Sequence, residues 1–540
     1  MIRLAYFLVF SLSLSFFGNT AFADLPQRNG WPITVAPGLA GQYLLAPRDG
    51  VAVFDLIGDS KLEIVASSGD QVFVWDINST ACAGWPQTVQ GTAQPPPSIG
   101  DIDGDGDFEI VQAARGLKYS DTSYVYVFHH DGNLVAGWPI AFPNLIFHAI
   151  SLADLDGNGT QDLIIQIGKW PPAGTLLVLS GDGTALGSNW EHELESYPLA
   201  PAAVGDIDGD GSLEIAYLTL GNLNVRRCDG TAFPAFPLAA NNGKEYAGGV
   251  VLADLDPNNT GLEIITCDKD ISEGTTKVRL LAFSSNGEAL PGFPVVIAED
   301  VYGVSAPTVG DMDDDTTLEI VLNVRGKGIF VVDNLGTLKT PPIATLSDST
   351  ASIQIADLDG DNELEIVADN NTTNKTGQGF VEAYNIDGTP IENFPLFPLG
   401  STMANTATIA DLDGDNVLEL VIPSVALSGI LNSWVNVWTV PKSKLAPTAW
   451  TTFGFNARRA NCSNCAMSSS IPWRADAGPS DIGHDSLADN SVQDSRLSNG
   501  DFPLNDDQGC GCSIENTRGN TAINICFLLL LCFYFKRLSF

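Results

Sequence analysis

The chain has 540 residues, with 65 Asp and Glu against 26 Lys and Arg, and a formal net charge of −39. That acidity excludes nucleic acid and an anionic membrane surface as partners. Its nine cysteines make no dense disulfide framework: Cys82, Cys228 and Cys267 are scattered, and Cys462 and Cys465 form one CxxC with no second pair and no nearby histidine, which argues against zinc.

The N-terminus has the form of a secretory signal: Arg3, an apolar stretch from Leu4 to Phe17, and the small-residue cleavage site Ala21-Phe22-Ala23. Residues 1–23 are therefore set apart from the fold, and the mature protein is expected outside the cytoplasm, where calcium is plentiful.

From there an acidic loop recurs eight times ahead of an apolar strand, starting at Asp55, Asp101, Asp154, Asp206, Asp254, Asp311, Asp357 and Asp411. The steps are 46, 53, 52, 48, 57, 46 and 54 residues, a repeat period near fifty. The second copy reads DIDGDGDFE: oxygen ligands at positions 1, 3 and 5, a glycine for the bend and a carboxylate at position 9, a set suited to a hard cation such as Ca²⁺. These loops hold 32 of the 65 acidic residues, so about half the negative charge sits where a cation would neutralise it.

The candidate ligands are Asp101, Asp103, Asp105, Asp107 and Glu109; Asp154, Asp156, Asn158 and Asp162; Asp206, Asp208, Asp210 and Glu214; Asp311, Asp313, Asp315 and Glu319; Asp357, Asp359, Asp361 and Glu365; and Asp411, Asp413, Asp415 and Glu419. The first loop has Ile57 where an oxygen is needed, and the loop from Asp254 reaches Glu263 after one extra residue. Neither is assigned a metal. The bland alternative is that some loops are only Asp-rich turns; recurrence in phase favours metal in the complete copies.

Each repeat carries four strand signals, as in 98–143, where SIGDID, FEIVQAA, SYVYVFHH and GWPIAF are separated by Gly, Asp, Asn and Pro. Asp131-Gly132, Asp182-Gly183, Asp229-Gly230, Asn286-Gly287 and Asp387-Gly388 predict type I′ hairpins. The fourth strand is marked by an aromatic–proline pair, as at Trp31-Pro32, Trp85-Pro86, Trp138-Pro139, Phe236-Pro237, Phe293-Pro294 and Phe394-Pro395, which suits an outer edge strand, the aromatic packing between units. The expectation is an all-β, eight-bladed β-propeller of four-stranded blades, with calcium loops between strands 1 and 2. Seven blades is the alternative. Residues 31–36 are predicted to complete the eighth blade, with 449–459 competing for that edge.

On these loops and strands the chain resembles the FG-GAP/VCBS repeats of the integrin α-subunit propeller and of many secreted bacterial proteins. The resemblance covers 24–460 and implies structural calcium and a binding or adhesion role. Most loops here close with Glu, where the family commonly has Asp, as at Asp162.

In the connections between blades, Phe147, His148, Tyr197, Tyr246 and Tyr302 form a possible ligand face at the mouth opposite the calcium loops, with Met403 in the corresponding last position. Packing inside the tunnel is the competing reading. The long 2–3 loops, such as 113–123, 266–277 and 369–379, would shape that mouth. No nucleophile motif stands beside the five histidines His129, His130, His148, His192 and His484. A calcium-dependent polysaccharide lyase is the runner-up function, with Arg115, Lys118, Lys169, Lys244 and His148 as its candidate clamp and base.

Residues 461–509 read as a flexible acidic linker. In 510–540 a Cys510-Gly511-Cys512 segment precedes an apolar run, 523–535, and Lys536-Arg537. As a helix that run would span about 20 Å, short of the ~30 Å hydrocarbon core. The tail resembles a myxobacterial C-terminal surface-sorting tail, which would make Cys510 or Cys512 the point of processing; a plain transmembrane anchor is the alternative. Either way, a non-enzymatic adhesion module at the cell surface or outer membrane is expected, with an extracellular protein or glycan as partner and the membrane met only through the tail.

Overall fold

The computed structural model describes residues 25–35, 50–116, 121–146, 148–169, 173–240, 243–271, 274–301, 303–346, 351–369, 379–402, 406–426, 432–446, 449 and 451–452. The signal, the linker, the CxxC and the tail with Cys510 and Cys512 lie outside the described residues, as do Phe147, Tyr302 and Met403. Among the described residues no helix is long and apolar enough to cross a membrane.

Eight antiparallel sheets form the blades of a β-propeller, which excludes the seven-bladed alternative. Blade 2 is representative: Ser98–Gly100, Glu109–Ala114, Thr122–Phe128 and Ile140–Pro143 pair in sequence order, from the axis outward. In blades 6 and 7 three strands are continuous, and single bridges, Ile329 to Ile343 and Val381 to Leu396, mark the fourth position. The innermost strands of blades 8 and 1, Thr408–Ala410 and Ala52–Phe54, adjoin and close the ring.

Burial follows position in the blade. The second strands of blades 1 and 2, Glu63–Ser68 and Glu109–Ala114, are buried throughout because neighbouring blades cover both their faces. The outer strand Gln87–Thr88 is half-exposed. The core is divided among the seams: Trp31, Ile64, Trp75, Leu412 and Val421 fill the one between blades 8 and 1. The marker aromatics serve these seams, as expected. The indole N–H of Trp31 donates to Ile77 O, Trp85 to His130 O and Trp138 to Gly181 O, each in the following blade. Trp190, which no proline follows, reaches Cys228 O in the same way.

The N-terminal segment closes the eighth blade as predicted. Ile33, Thr34 and Val35 pair with Val435, Trp434 and Ser433 of the strand Ser433–Val440. Upstream the pairing resumes, with Arg28 N donating to Val437 O and Thr439 N to Pro26 O. Of the competing segment 449–459, residues 450 and 453–459 lie outside the described residues, and the described residues of the C-terminal segment lie elsewhere. Ser443 and Lys444 enter the seam between blades 7 and 8, where Leu418 N donates to Ser443 Oγ and Lys444 N to Asp357 O. Thr451 O then accepts from Ile409 N on the inner edge of blade 8. The outer edge was already filled; the inner edge still offered unpaired amides.

The hairpins differ from the type I′ expectation. At 129–133, Gly132 N donates to His129 O and His129 N to Asn133 O, and only the glycine takes a positive φ, +82°. This is a three-residue loop whose last residue is left-handed. Asp131 keeps an ordinary φ because its carboxylate accepts from Asn133 N two residues on.

Candidate metal loops

In every acidic loop the closing carboxylate accepts a loop amide, and in seven of the eight the first Asp does so too. The first Asp folds it: Asp206 Oδ1 accepts from the amides of Gly209 and Asp210, and Oδ2 from Gly211. Asp55 and Asp411 do the same. The glycine at position 4 serves both turn and seam. Gly209 has φ +74°, and a Cβ there would strike Thr260 O of the next blade's loop. Asp314 takes this place in blade 6 at φ +55°, a conformation Asp tolerates better than most side chains.

The ninth residue closes the loop. One oxygen of each closing carboxylate accepts the amide of the loop's second residue: Leu56 to Glu63, Ile102 to Glu109, Leu155 to Asp162, Ile207 to Glu214, Leu255 to Glu263, Met312 to Glu319, Leu358 to Glu365 and Leu412 to Glu419. Glu therefore makes the same bond that Asp162 makes in blade 3. The extra residue before Glu263 leaves this bond intact, so that insertion is absorbed within the loop.

All eight closing carboxylates are buried, which disfavours their charged form. Burial pushes Glu109, Glu214 and Glu365 up to about 8 and Glu63, Asp162 and Glu419 to about 7, crowding by the other loop carboxylates adding to the rise.

The second oxygen of the closing carboxylate separates the blades. In blades 3 and 4, Asp162 Oδ1 and Glu214 Oε1 are buried without a hydrogen-bond partner. In blade 2, His129 Nδ1 lies 3.2 Å from Glu109 Oε1. In blade 5, Asn259 donates its side-chain amide to Glu263 Oε1. In blade 6, Lys339 Nζ lies 2.9 Å from Glu319 Oε1. In blade 8, Arg28 donates to Glu419 Oε1 at 2.8 Å and Thr439 at 3.2 Å.

Carboxylate oxygens gather within 4.8 Å of one another at Asp103, Asp105, Asp107 and Glu109; at Asp154, Asp156 and Asp162; at Asp206, Asp208 and Asp210; at Asp311, Asp313 and Asp315; and at Asp357, Asp359 and Glu365. These are oxygen-only donor sets, the kind a hard divalent cation takes. An uncompensated buried carboxylate oxygen costs free energy, so Asp162 and Glu214 fit a cation on a physical ground independent of the motif. Asp107, counted among the ligands by spacing, also pairs with His130 Nδ1 at 2.7 Å.

Sequence reasoning did not connect His129, Arg227, Lys339 and Arg28 with the loops. A signal for two of them was present: Arg227 is the strand partner of Glu214, and His129 stands in the matching register opposite Glu109. Counting back from each Asp-Gly turn would have found both.

The proposed ligand face is only partly described. Tyr246 is a correction: it is buried in the core of blades 4 and 5, and its hydroxyl donates to Leu238 O, so it presents no surface to a ligand. The strand Lys244–Ala253 continues past the innermost position and carries Tyr246 into the sheet, opposite Asp268. Tyr197 is half-buried, and His148 approaches Pro198 O at 3.3 Å through Nε2. On the same side, the long hairpin of blade 5 holds an ion-pair network: Arg279 pairs with Asp268, and Lys244 lies 3.7 Å from Asp270.

Residues 101–165 match the FG-GAP-like repeat family. No curated protein sequence matches the chain. Among solved structures, the Vibrio cholerae biofilm matrix protein Bap1 is similar at 13% identity and a TM-score of 0.43, over 82% of this chain and 97% of that one. The C-terminal domain of Pseudomonas aeruginosa PilY1 is similar at 10% identity and a TM-score of 0.36, over 75% of this chain and 99% of that one.

Proposed function

We propose that this chain is a secreted, calcium-stabilised propeller that acts at the cell surface as a non-enzymatic binding or adhesion module. The observation that carries the metal reading is the pair of buried, unmatched oxygens, Asp162 Oδ1 and Glu214 Oε1, in loops otherwise lined by oxygen donors. Ca²⁺ suits these donors in number, hardness and charge. The ion is structural, because the loops are held within one face of the disk by bonds to their own backbone.

Binding falls to the other face, where the 2–3 hairpins vary in length and the blade 5 hairpin carries sheltered paired charges. Its partner is an extracellular protein or glycan, and the protein is retained at the surface through its C-terminal tail. The lyase alternative draws no support from Lys244 and His148, which are engaged with Asp270 and Pro198 O and form no base-and-clamp arrangement.

The test is a glycan and protein array probed with the full chain, with calcium and with chelator. Calcium-dependent retention on a defined ligand supports the reading. New unsaturated products from an acidic polysaccharide would replace it with the lyase.

A further inference from the structure

The loops of blades 6 and 8 contain a cation already, and it belongs to the chain. Lys339 follows the blade 6 hairpin, and its Nζ lies 2.6 Å from Asp313 Oδ2, 2.9 Å from Glu319 Oε1 and 3.8 Å from Asp315 Oδ2. Arg28 comes from the N-terminal segment and bridges Asp413 and Glu419 of blade 8 with its two terminal nitrogens. Both side chains are largely sheltered, at 22% and 21% exposure.

We propose that Lys339 and Arg28 stand in for the metal ion in blades 6 and 8, so that these loops take no calcium, whereas blades 3 and 4 do. The inference rests on the calcium reading of the remaining loops.

Three observations support it. The amino and guanidinium groups meet the closing carboxylate at the oxygen that is orphaned in Asp162 and Glu214. A divalent ion in the same cup would sit within a few ångströms of a fixed positive charge, an uncompensated repulsion in a partly buried place. Arg28 cannot readily withdraw, since its own amide is bonded to Val437 O at 2.9 Å and its carbonyl accepts from Trp31 N at 3.1 Å, and guanidinium does not lose its proton.

Arg227 of blade 4 is different. It lies 3.7 and 3.9 Å from Asp208 and Asp210, stacks over Phe233 at 4.8 Å, and leaves Glu214 Oε1 unmatched. The outer oxygens Asp208 Oδ1, Asp313 Oδ1 and Asp413 Oδ1 lack partners alike, so the distinction lies at the closing carboxylate.

The test counts calcium ions bound to the full chain by equilibrium dialysis, with calcium as the only added metal. Asp313→Asn and Asp413→Asn should leave the count unchanged, while Asp156→Asn and Asp208→Asn each lower it by about one. Lys339→Met and Arg28→Met should each raise it by about one. Should Arg28→Met fail to fold, Asp413→Asn still decides blade 8. A lower count in Asp313→Asn or Asp413→Asn, or no loss in Asp156→Asn and Asp208→Asn, overturns the assignment. A parent that binds no calcium defeats the functional reading and, with it, the calcium assigned to blades 3 and 4; a parent that binds calcium but shows either of those outcomes overturns the present inference alone.

Discussion

In blade 3 the closing carboxylate Asp162 is wholly buried and one oxygen goes unmatched, whereas in blade 8 the equally buried Glu419 receives Arg28 and Thr439. The two loops share their backbone plan: a first Asp that folds the turn and a second-position amide bonded to the closing carboxylate. One plan thus tolerates two ways of holding charge. The difference teaches that loop shape in this fold is set by backbone hydrogen bonds to carboxylates, and that the cation answers a separate electrostatic need which metal or side chain can meet.

The largest expected effect comes from removing residues 25–35. This deletes the outer strand of blade 8 and the cation of its loop together, exposing the edge of Ser433–Val440. The truncated protein should aggregate or lose its cooperative thermal transition. A parent-like midpoint would show that the ring closes without this segment, and blade 8 would lose its claim to a built-in cation.

Removal of calcium should divide the two regions. Binding to the native state alone stabilises by about 2.7 kcal/mol per site when calcium stands at a hundred times its dissociation constant. In chelator, hydrogen exchange should accelerate in 154–162 and stay slow in 411–419. Equal acceleration in both would erase the distinction between them.

Paired neutral substitutions sharpen it further. Glu419→Gln leaves Arg28 facing an amide and should destabilise by about 1.5–3 kcal/mol, the worth of a charged hydrogen bond, with or without calcium. Asp162→Asn should instead shrink the rise in melting temperature that calcium produces, while costing little in chelator. If both variants respond to calcium like the parent, neither loop holds the ion.

The last effect is in pH. Without metal, burial holds Asp162 up at about 7 from an ordinary 3.8, so the folded state binds its proton more tightly than the unfolded state does. Its contribution to stability is present below the unfolded value and is lost as pH rises towards 7. Relative to Asp162→Asn, the chelated parent should therefore lose stability between about pH 4 and 7. Calcium, which favours the ionised form, should flatten that slope. Denaturant midpoints of the two proteins across this range measure the difference, and parallel curves would place Asp162 in a less desolvated site.

The blades were legible in the sequence because each repeat states its own plan locally. The acidic turn, the β-rich runs and the aromatic–proline marker fall in one fifty-residue unit, and in-phase repetition leaves little freedom in the fold. Ring closure by residues 31–36 was legible too, since the first marker strand precedes its blade and the last repeat lacks one. The hairpin type was not: Asp-Gly fits more than one loop, and the number of turn residues, which decides the matter, depends on strand register. Nor was the burial of Tyr246, because alternation continues into a connecting segment only when a neighbouring strand is long enough to pair with it, as Glu263–Asp270 is.

By itself the sequence determined the eight loops, their donor oxygens and the architecture that carries them, because these follow from short-range spacing and its repetition. Only the tertiary structure decided which loops are already neutralised. Arg28 lies 391 residues from Glu419 along the chain and meets it only because the ring closes on itself. Lys339 meets Glu319 across a blade, and no side chain of comparable charge reaches Asp162 among the described residues. Coulomb energy depends on distance in space, and spacing along a chain fixes that distance only within a turn or a hairpin.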